Sequence, residues 1–445
     1  MMRYIDTVRQ RMRALHRTGA VVALCAATLT LHAQLDEAWI VGYSGWIDTT
    51  RNIYMTVDSD GNVYVTGTFN ISVPYHPQYV LTYSSLVTLK YDANGFLRFA
   101  QADVVSNGYT RDIAVDSRGN VYVLGAAGGS TLVIKYDANG GRRWVRSFGG
   151  SPAALEVDSA GNVYVLTTGN LRKYDTNGGL LWSITVGGSP VDLALDSAGN
   201  VIMMTSTATV KYTANGNLLW SRPYNGTAAD LTVDSAGNII VTGTSNNDYL
   251  TVKYNADGDL LWQRRLNYGA DRATAVTVDR NGDVYVTGQS NGLFATVRYR
   301  SSDGFQRWVR VANGGLSQCR PVAIAVDNDG NVYVAGTGTV SGNDTSYLTV
   351  KYDANGNNEV VQLYDSTIGE ERLTAAVLDR AMNFIVTGIS VDPDHPYYYG
   401  SGAEIVTIKY ATGAPTRIEG DVNGDGCVDD TDLLIVLFNF GRGCN

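Results

Sequence analysis

The sequence predicts an all-β protein folded as an eight-bladed β-propeller, with a seven-bladed ring as the alternative if one of the leaner repeats is irregular. Two observations predict this fold. The phrase VDSDGNVYVTGT at residues 57–68 returns in altered form along the chain, and a basic residue followed by tyrosine comes after each return. The composition agrees, because charged residues are only 17% while there are 49 glycines and 28 tyrosines, a balance that suits short strands and tight turns.

The first two strands of each repeat are predicted to form a hairpin around an aspartate. A Val-Asp or Leu-Asp pair ends the first strand eight times, at intervals of 38 to 58 residues. These aspartates are Asp58, Asp116, Asp158, Asp196, Asp234, Asp279, Asp327 and Asp379. Glycine follows three residues later in seven copies, and Met382 is the exception. Because no ligand follows at loop position 12, a hairpin turn is favoured over a calcium loop at these places.

The third and fourth strands of each repeat carry a basic residue and an aromatic residue. The third strand ends in Lys-Tyr or Arg-Tyr, first at Lys90-Tyr91 and last at Lys409-Tyr410. A DANG-type turn leads to the fourth strand, in which five repeats place a tryptophan: Trp144, Trp182, Trp220, Trp262 and Trp308. Phe99 and Val360 hold this place in two other repeats. We expect the tryptophans to pack between neighbouring sheets.

The two ends of the repeat region are complementary. AWIVGYSG around Trp39 reads as a fourth strand without the three strands that should precede it, and the last repeat has three strands without a fourth. The N-terminal strand is therefore predicted to complete the last blade and close the ring, since closure removes exposed sheet edges. The propeller is predicted over residues 37–410.

Residues 1–33 are predicted to be a signal peptide. Five arginines precede the apolar run GAVVALCAATLTL, which ends near a small residue. We expect a secreted, extracellular or cell-surface protein with no membrane span. The whole chain carries a formal charge of −9 and the leader +4, so the remainder carries −13. This acidic balance argues against nucleic acid as a partner.

The wording of the repeats, VDSxGNVYVTG followed by TVKYDANGNLLW, resembles the bacterial SBBP-type β-propeller repeat, which is similar in style to NHL repeats. The resemblance covers roughly residues 39–410. It implies a secreted or surface propeller, and it implies no single activity, because propellers include both enzymes and binding proteins.

A linker at 411–418 leads to a tail at 419–445 that is predicted to bind Ca²⁺. Its oxygen ligands occupy positions 1, 3, 5, 7, 9 and 12 of an EF-hand-type loop: Asp421, Asn423, Asp425, the carbonyl of Cys427, Asp429 and Asp432. The segment resembles a single dockerin-type calcium repeat, which implies a cohesin-like or cell-envelope protein as partner. Dockerins carry two such repeats and this tail has one. A disulfide between Cys427 and Cys444 is compatible with secretion.

A ligand site is predicted where the insertions of repeats 8 and 1 meet on one face of the closed ring. Its predicted residues are Tyr75, His76, Tyr79, His395, Tyr397, Tyr398, Arg51 and Arg372. Tyrosines offer stacking surfaces and arginines bind carboxylates, so the expected ligand is a polysaccharide with acidic groups or, alternatively, an acidic peptide. The alternative is that these arginines pair with nearby acids such as Asp48 and Glu370.

Two functions are compatible with these features. Outside the leader the chain has two histidines, and it contains neither a phosphate-binding loop nor a nucleophile elbow. We therefore expect a non-catalytic, monomeric binding or scaffold module that is tethered through its tail. The alternative is an extracellular polysaccharide lyase or hydrolase, for which two carboxylates at catalytic separation in the tunnel mouth would be the evidence.

Overall fold

The structure is a computed structural model, which describes residues 35–45, 47–76, 79–342, 344–357, 360–365, 369–391 and 403–412. For residues 71–82 only the backbone is described. The predicted signal peptide, the linker beyond Thr412 and the whole calcium-binding tail lie outside the described residues. So do His395, Tyr397 and Tyr398.

All regular elements of the described residues are β-strands. The N-terminal strand is β1 (Asp36–Gly45). Repeats 1 and 2 contain β2 (Tyr54–Val57), β3 (Val63–His76), β4 (Tyr79–Tyr91), β5 (Leu97–Val105), β6 (Tyr109–Val115), β7 (Val121–Ala127), β8 (Ser130–Tyr136) and β9 (Arg142–Phe148). Repeats 3 and 4 contain β10 (Pro152–Val157), β11 (Val163–Thr167), β12 (Asn170–Tyr174), β13 (Leu180–Thr185), β14 (Pro190–Leu195), β15 (Val201–Thr205), β16 (Ala208–Tyr212) and β17 (Leu218–Pro223).

The second half of the chain follows the same order. Repeats 5 and 6 contain β18 (Thr227–Val233), β19 (Ile239–Ser245), β20 (Asp248–Tyr254), β21 (Leu260–Leu266), β22 (Asp271–Val278), β23 (Val284–Ser290), β24 (Leu293–Tyr299) and β25 (Gln306–Ala312). Repeats 7 and 8 contain β26 (Ser317–Val326), β27 (Val332–Ser341), β28 (Asp344–Tyr352), β29 (Val360–Tyr364), β30 (Glu370–Leu378), β31 (Phe384–Val391) and β32 (Ala403–Ala411).

Each of repeats 1 to 6 forms a separate four-stranded sheet in which consecutive strands pair. Repeats 7 and 8 share one larger sheet, because a single parallel bridge joins Thr345 to Glu370. The strand that completes repeat 8 is β1, which pairs antiparallel with β32 from Asp36 opposite Ala411 to Gly45 opposite Ala403. This pairing confirms the role predicted for the N-terminal strand.

The first strands of the repeats contact one another in a closed cycle. Contacts run from β2 through β6, β10, β14, β18, β22, β26 and β30, and β30 contacts β2. The hydrophobic cores lie between neighbouring sheets, so that Ile240 and Trp262 of repeat 5 pack with Val284 and Val286 of repeat 6. The core between repeats 8 and 1 is built in the same way, with Ile385 against Val63.

The repeat aspartates form hairpin turns, as the sequence predicted. In repeat 2, Asp116 Oδ1 accepts hydrogen bonds from the backbone N–H groups of Arg118 and Asn120, both at 2.9 Å. Its Oδ2 accepts from Asn120 Nδ2 at 2.7 Å and from the Tyr122 hydroxyl at 3.0 Å. The protein's own donors thus occupy both oxygens. Met382, which replaces the turn glycine in repeat 8, has a φ of 64°.

Neighbouring repeats are joined by a contact that we call the clamp: a lysine of the third strand and a tryptophan of the fourth donate to one carbonyl in the next repeat's DANG-type turn. In repeat 4, Lys211 Nζ and Trp220 Nε1 both lie 3.1 Å from the carbonyl of Ala256 in repeat 5. The ring closes by the same contact, since Trp39 Nε1 and Lys409 Nζ lie 3.0 and 3.2 Å from the carbonyl of Ala93. The predicted packing of tryptophan between sheets is confirmed.

Candidate functional site

The first strands surround a cavity of about 340 Å³. Side chains from repeats 1 to 7 line it, and the polar ones among them include Tyr54, Arg111, Asp112, Asp192 and Asp230. Repeats 6 and 7 contribute the uncharged residues Thr274, Ala275 and Val322. One arc of the cavity is therefore strongly polar.

Three aspartates take the same place in their repeats. Asp112, Asp192 and Asp230 each stand four residues before the repeat aspartate, where Tyr54 and Ala154 stand in repeats 1 and 3. The strand pairing shifts register just before each of the three aspartates. Such a bulge bends the strand and redirects a side chain, and here it places carboxyl groups along the cavity wall.

Each of these aspartates binds the backbone of the next repeat. Asp112 Oδ2 accepts from the N–H of Leu155 at 2.8 Å, and Asp230 Oδ2 accepts from the N–H of Val276 at 2.7 Å. Asp192 Oδ2 accepts from the N–H of Leu231 at 3.3 Å. The carboxyl groups therefore join adjacent first strands in addition to facing the cavity.

Asp192 and Asp230 also contact each other, because repeats 4 and 5 are consecutive. The backbone N of Leu231 lies 3.3 Å from Asp192 Oδ2 and 3.0 Å from Asp230 Oδ1, so the two carboxyl groups share one donor and lie next to each other. A hydrogen bond between two carboxyl groups requires a proton on one of them.

Burial raises the pKa of the carboxyl groups around the cavity. The pKa of Asp112 rises to about 7, and that of Glu156, whose neighbours Asp112 and Asp192 add repulsion, rises to about 8. Burial also raises the pKa of Asp192 and that of Asp230, the latter well above its usual range. The Arg111 guanidinium partly offsets these shifts at Asp112 and Asp192.

The sequence reasoning missed this carboxyl group cluster. The signal that could have found it is an aspartate four residues before the repeat aspartate in three repeats, two of them consecutive. Arg111 of β6 also lines the cavity, where it donates to the Tyr54 hydroxyl at 3.2 Å. The ligand site predicted from the sequence does not include Arg111.

Two predicted ligand-binding arginines lie together at the junction of repeats 8 and 1. Arg372 donates to the backbone carbonyl of Thr49 at 2.8 Å, to the carbonyl of Arg51 and to Asn52 Oδ1 at 3.2 Å. Arg51 lies 3.8 Å from Asp48 and stacks over the ring of Tyr109 at 4.6 Å. The structure thus brings Arg51 and Arg372 together, and hydrogen bonds within the protein occupy the Arg372 guanidinium.

Tyr75, His76 and Tyr79 lie at the far end of the β3–β4 hairpin, whose backbone alone is described there. Their meeting with His395, Tyr397 and Tyr398 therefore stays a prediction, as does the calcium loop.

Within the described residues, Asp344, Asp365 and Glu371 place carboxylate oxygens within 4.8 Å of one another, a grouping of the type that can hold a metal ion. The described part of the chain contains no helix that is long and apolar enough to cross a membrane.

Comparisons with known proteins agree with this architecture. The repeat family described as SBBP, a β-propeller repeat, matches residues 265–295 and 308–343. A solved structure, the Dos1 propeller, is similar over 84% of this chain and 95% of its own, with 9% identity and a TM-score of 0.56. The fold is a β-propeller.

Other solved structures show weaker likeness. The BamB protein of Moraxella catarrhalis matches over 83% of this chain and 97% of its own, with 16% identity and a TM-score of 0.46. A streptogramin B lyase matches over 68% of this chain and 93% of its own, with 13% identity and a TM-score of 0.47. No curated protein matches the chain.

Proposed function

We propose that this protein is a secreted or cell-surface, non-catalytic propeller with eight blades, which acts as a binding or scaffold module. The observation that carries the binding role is the cavity of about 340 Å³ on the ring of first strands, where Tyr54, Arg111 and three aspartates converge. A concave site with a few convergent polar groups is the usual form of a ligand site. The cycle of first-strand contacts through eight repeats supports eight blades over seven.

The ligand that we propose is a polysaccharide with acidic groups, bound on the face where repeats 8 and 1 meet. Arg51 and Arg372 supply the cationic part of this face, and their proximity across the junction supports the proposal. Tyr75, His76, Tyr79, His395, Tyr397 and Tyr398 would supply the stacking and polar contacts. The cavity is the competing location, and an acidic ligand would bind there only while the carboxyl groups of the cavity are protonated.

A glycan-array screen of the chain without residues 1–33 tests this binding role and locates the site. We expect Tyr75→Ala combined with Tyr398→Ala to lose binding to uronic-acid glycans, while the exposed turn variant Arg280→Ala serves as the control and binds normally. Loss of binding in Arg111→Ala with normal binding in the double tyrosine variant would place the ligand in the cavity instead. The absence of any glycan hit would contradict a carbohydrate-binding function.

We further propose that residues 421–432 bind one Ca²⁺ and dock the protein to a cohesin-like or cell-envelope partner. The alternating oxygen ligands support this, because bringing several carboxylates together is unfavourable without a cation. Calorimetry on the intact protein should show uptake of one Ca²⁺, and Asp425→Ala should abolish it. Equal uptake by Asp425→Ala and by the unchanged chain would contradict the assignment of the loop.

A second candidate function, an extracellular polysaccharide lyase or hydrolase, is favoured by one observation. Burial raises the pKa of Asp112 to about 7 and that of Glu156 to about 8, so a substantial fraction of each carboxyl group is protonated at neutral pH, as a general acid requires. Release of reducing or unsaturated ends from polysaccharides, lost in Asp112→Asn and in Glu156→Gln, would establish this activity. Turnover that persists in both variants would exclude these carboxyl groups as its catalytic acids.

A further inference from the structure

We propose that Asp192 and Asp230 share one proton across the junction of repeats 4 and 5, and that loss of this proton in alkaline solution loosens the ring at that junction. The proposal concerns the ring itself and does not depend on the proposed ligand. It predicts that the junction of repeats 4 and 5 becomes less stable as the pH of the solution rises.

The geometry leaves little room for two ionised groups. Asp192 Oδ1 accepts from the N–H of Leu193 at 2.8 Å, and Asp230 Oδ2 accepts from the N–H of Val276 at 2.7 Å. The remaining oxygens, Asp192 Oδ2 and Asp230 Oδ1, both lie within hydrogen-bond distance of the N–H of Leu231. These backbone bonds hold the two carboxyl groups against each other, so a proton between them replaces repulsion with a hydrogen bond.

The surroundings do not neutralise a second negative charge. On β6, Asp112 and Arg111 face the pair, and on β10 Glu156 faces it. From β22 and β26 the cavity receives Thr274, Ala275 and Val322, which carry no charge. Among the described residues, the pair and its two acidic neighbours together present four carboxyl groups to a single guanidinium.

The pair forms at one junction only among those described, and the reason lies in the repeat sequence. Two carboxyl groups meet where consecutive repeats both carry aspartate four residues before the turn aspartate, as repeats 4 and 5 do. At the junction of repeats 2 and 3, Asp112 meets a repeat that has Ala154 at this place. The junction of repeats 5 and 6 likewise pairs Asp230 with Ala275.

The direction of the pH dependence follows from proton binding. In the unfolded chain both carboxyl groups ionise near the ordinary aspartate pKa, about 3.9. The folded ring keeps the shared proton above that pH, so it binds more protons than the unfolded chain, and its stability falls as the pH rises. Below about pH 4 both states are protonated and this stabilisation is fully present.

The test is a base titration followed by infrared spectroscopy, which detects the carbonyl stretch of a protonated carboxyl group. We expect Asp192→Asn and Asp230→Asn each to remove the amplitude of one protonated group. The double variant should remove no more than either single variant, because the pair holds one proton. The control is Asp303→Asn. The carboxylate of Asp303 is exposed and ionised beside Arg300, so its replacement should leave the carbonyl stretch of protonated carboxyl groups unchanged.

Thermal unfolding between pH 5 and 9 gives the matching stability readout. We expect Tm of the unchanged chain to fall with rising pH more steeply than Tm of Asp230→Asn, in which an amide N–H donates to Asp192 without titrating. Two protonated groups removed by the double variant, or identical pH slopes, would overturn the proposal. If the variants do not fold, the absence of any carbonyl stretch from a protonated carboxyl group in the unchanged chain at pH 7 would overturn it.

Discussion

Replacing Lys253 by methionine should reduce the free energy of unfolding by about 3 kcal/mol, because it leaves a buried carboxylate without its cation. The side chains of Lys253 and Asp234 are 1% and 3% exposed, and Lys253 Nζ lies 2.9 Å from Asp234 Oδ2. Lys253 also donates to Ser301 Oγ at 2.9 Å and to the carbonyl of Gly282 at 3.2 Å, so one substitution breaks contacts to the next repeat as well.

Loss of a buried partner costs about 3 to 5 kcal/mol in general, and we expect the lower end here. Burial raises the pKa of Asp234, but hydrogen bonds from Asn238 and Lys253 outweigh it and hold the pKa below its usual range. Asn238 and two backbone N–H groups still bind the carboxylate in the variant. Because the folded-state pKa is lowered, this stabilisation is present above the ordinary aspartate pKa and is lost as the pH falls.

Urea unfolding of the single variants and of Lys253→Met with Asp234→Asn gives the measurement. The double variant should recover part of the loss, since it removes the unpaired charge. The control is Lys90→Met: Lys90 also donates to a turn carbonyl, at 3.1 Å, but forms no ion pair with the described residues. An equal loss in Lys90→Met, with no recovery in the double variant, would refute the reasoning.

Three further predictions concern the junctions between repeats. Gly258→Ala should destabilise the fold by more than Gly199→Ala, because both glycines have positive φ but only at Gly258 would the new Cβ lie 2.7 Å from the Trp220 ring; equal losses in urea unfolding would contradict this. Trp39→Ala should cost about 3 kcal/mol and Trp39→Phe about 1 kcal/mol, since Phe99 already serves at that place in repeat 1; no effect in thermal unfolding would show that the closing clamp is dispensable. Tyr285→Phe should cost about 1 kcal/mol through the lost hydrogen bond to Asp279 at 3.1 Å; an unchanged Tm in thermal unfolding would contradict this.

Much of the fold could be predicted because the same residue types recur at the same positions of each repeat. The aspartate and glycine of each first turn fix a hairpin, and the basic residue and tryptophan of the outer strands mark the clamp. Copies such as Lys211 and Trp220 perform the same contacts that Lys409 and Trp39 perform at the closure. The missing fourth strand at Tyr410 and the surplus strand at Trp39 were enough to predict how the ring closes.

The cavity could not be predicted in the same way. Asp192 and Asp230 lie 38 positions apart in the sequence, and their contact depends on how closely two bulged first strands approach at the centre of the ring. Local pattern gives the face of a strand but not the distance between neighbouring sheets. The same limit applies to Arg372, whose bonds to Thr49 and Arg51 form only because the ring is closed.

The pairing of β1 with β32 constrains the order in which the sheets can form during folding. Seven repeats can complete themselves from adjacent chain as they are synthesised, but the eighth must recruit a strand made at the very beginning. Until β32 has been synthesised, the backbone N–H and C=O groups of β1 lack the strand with which they pair in the folded protein. The other sheets can form during that time. Because contacts of such long sequence separation form slowly, ring closure is expected to be a late step of folding. The hydrogen bond from Trp39 Nε1 to the carbonyl of Ala93 should form only at that step.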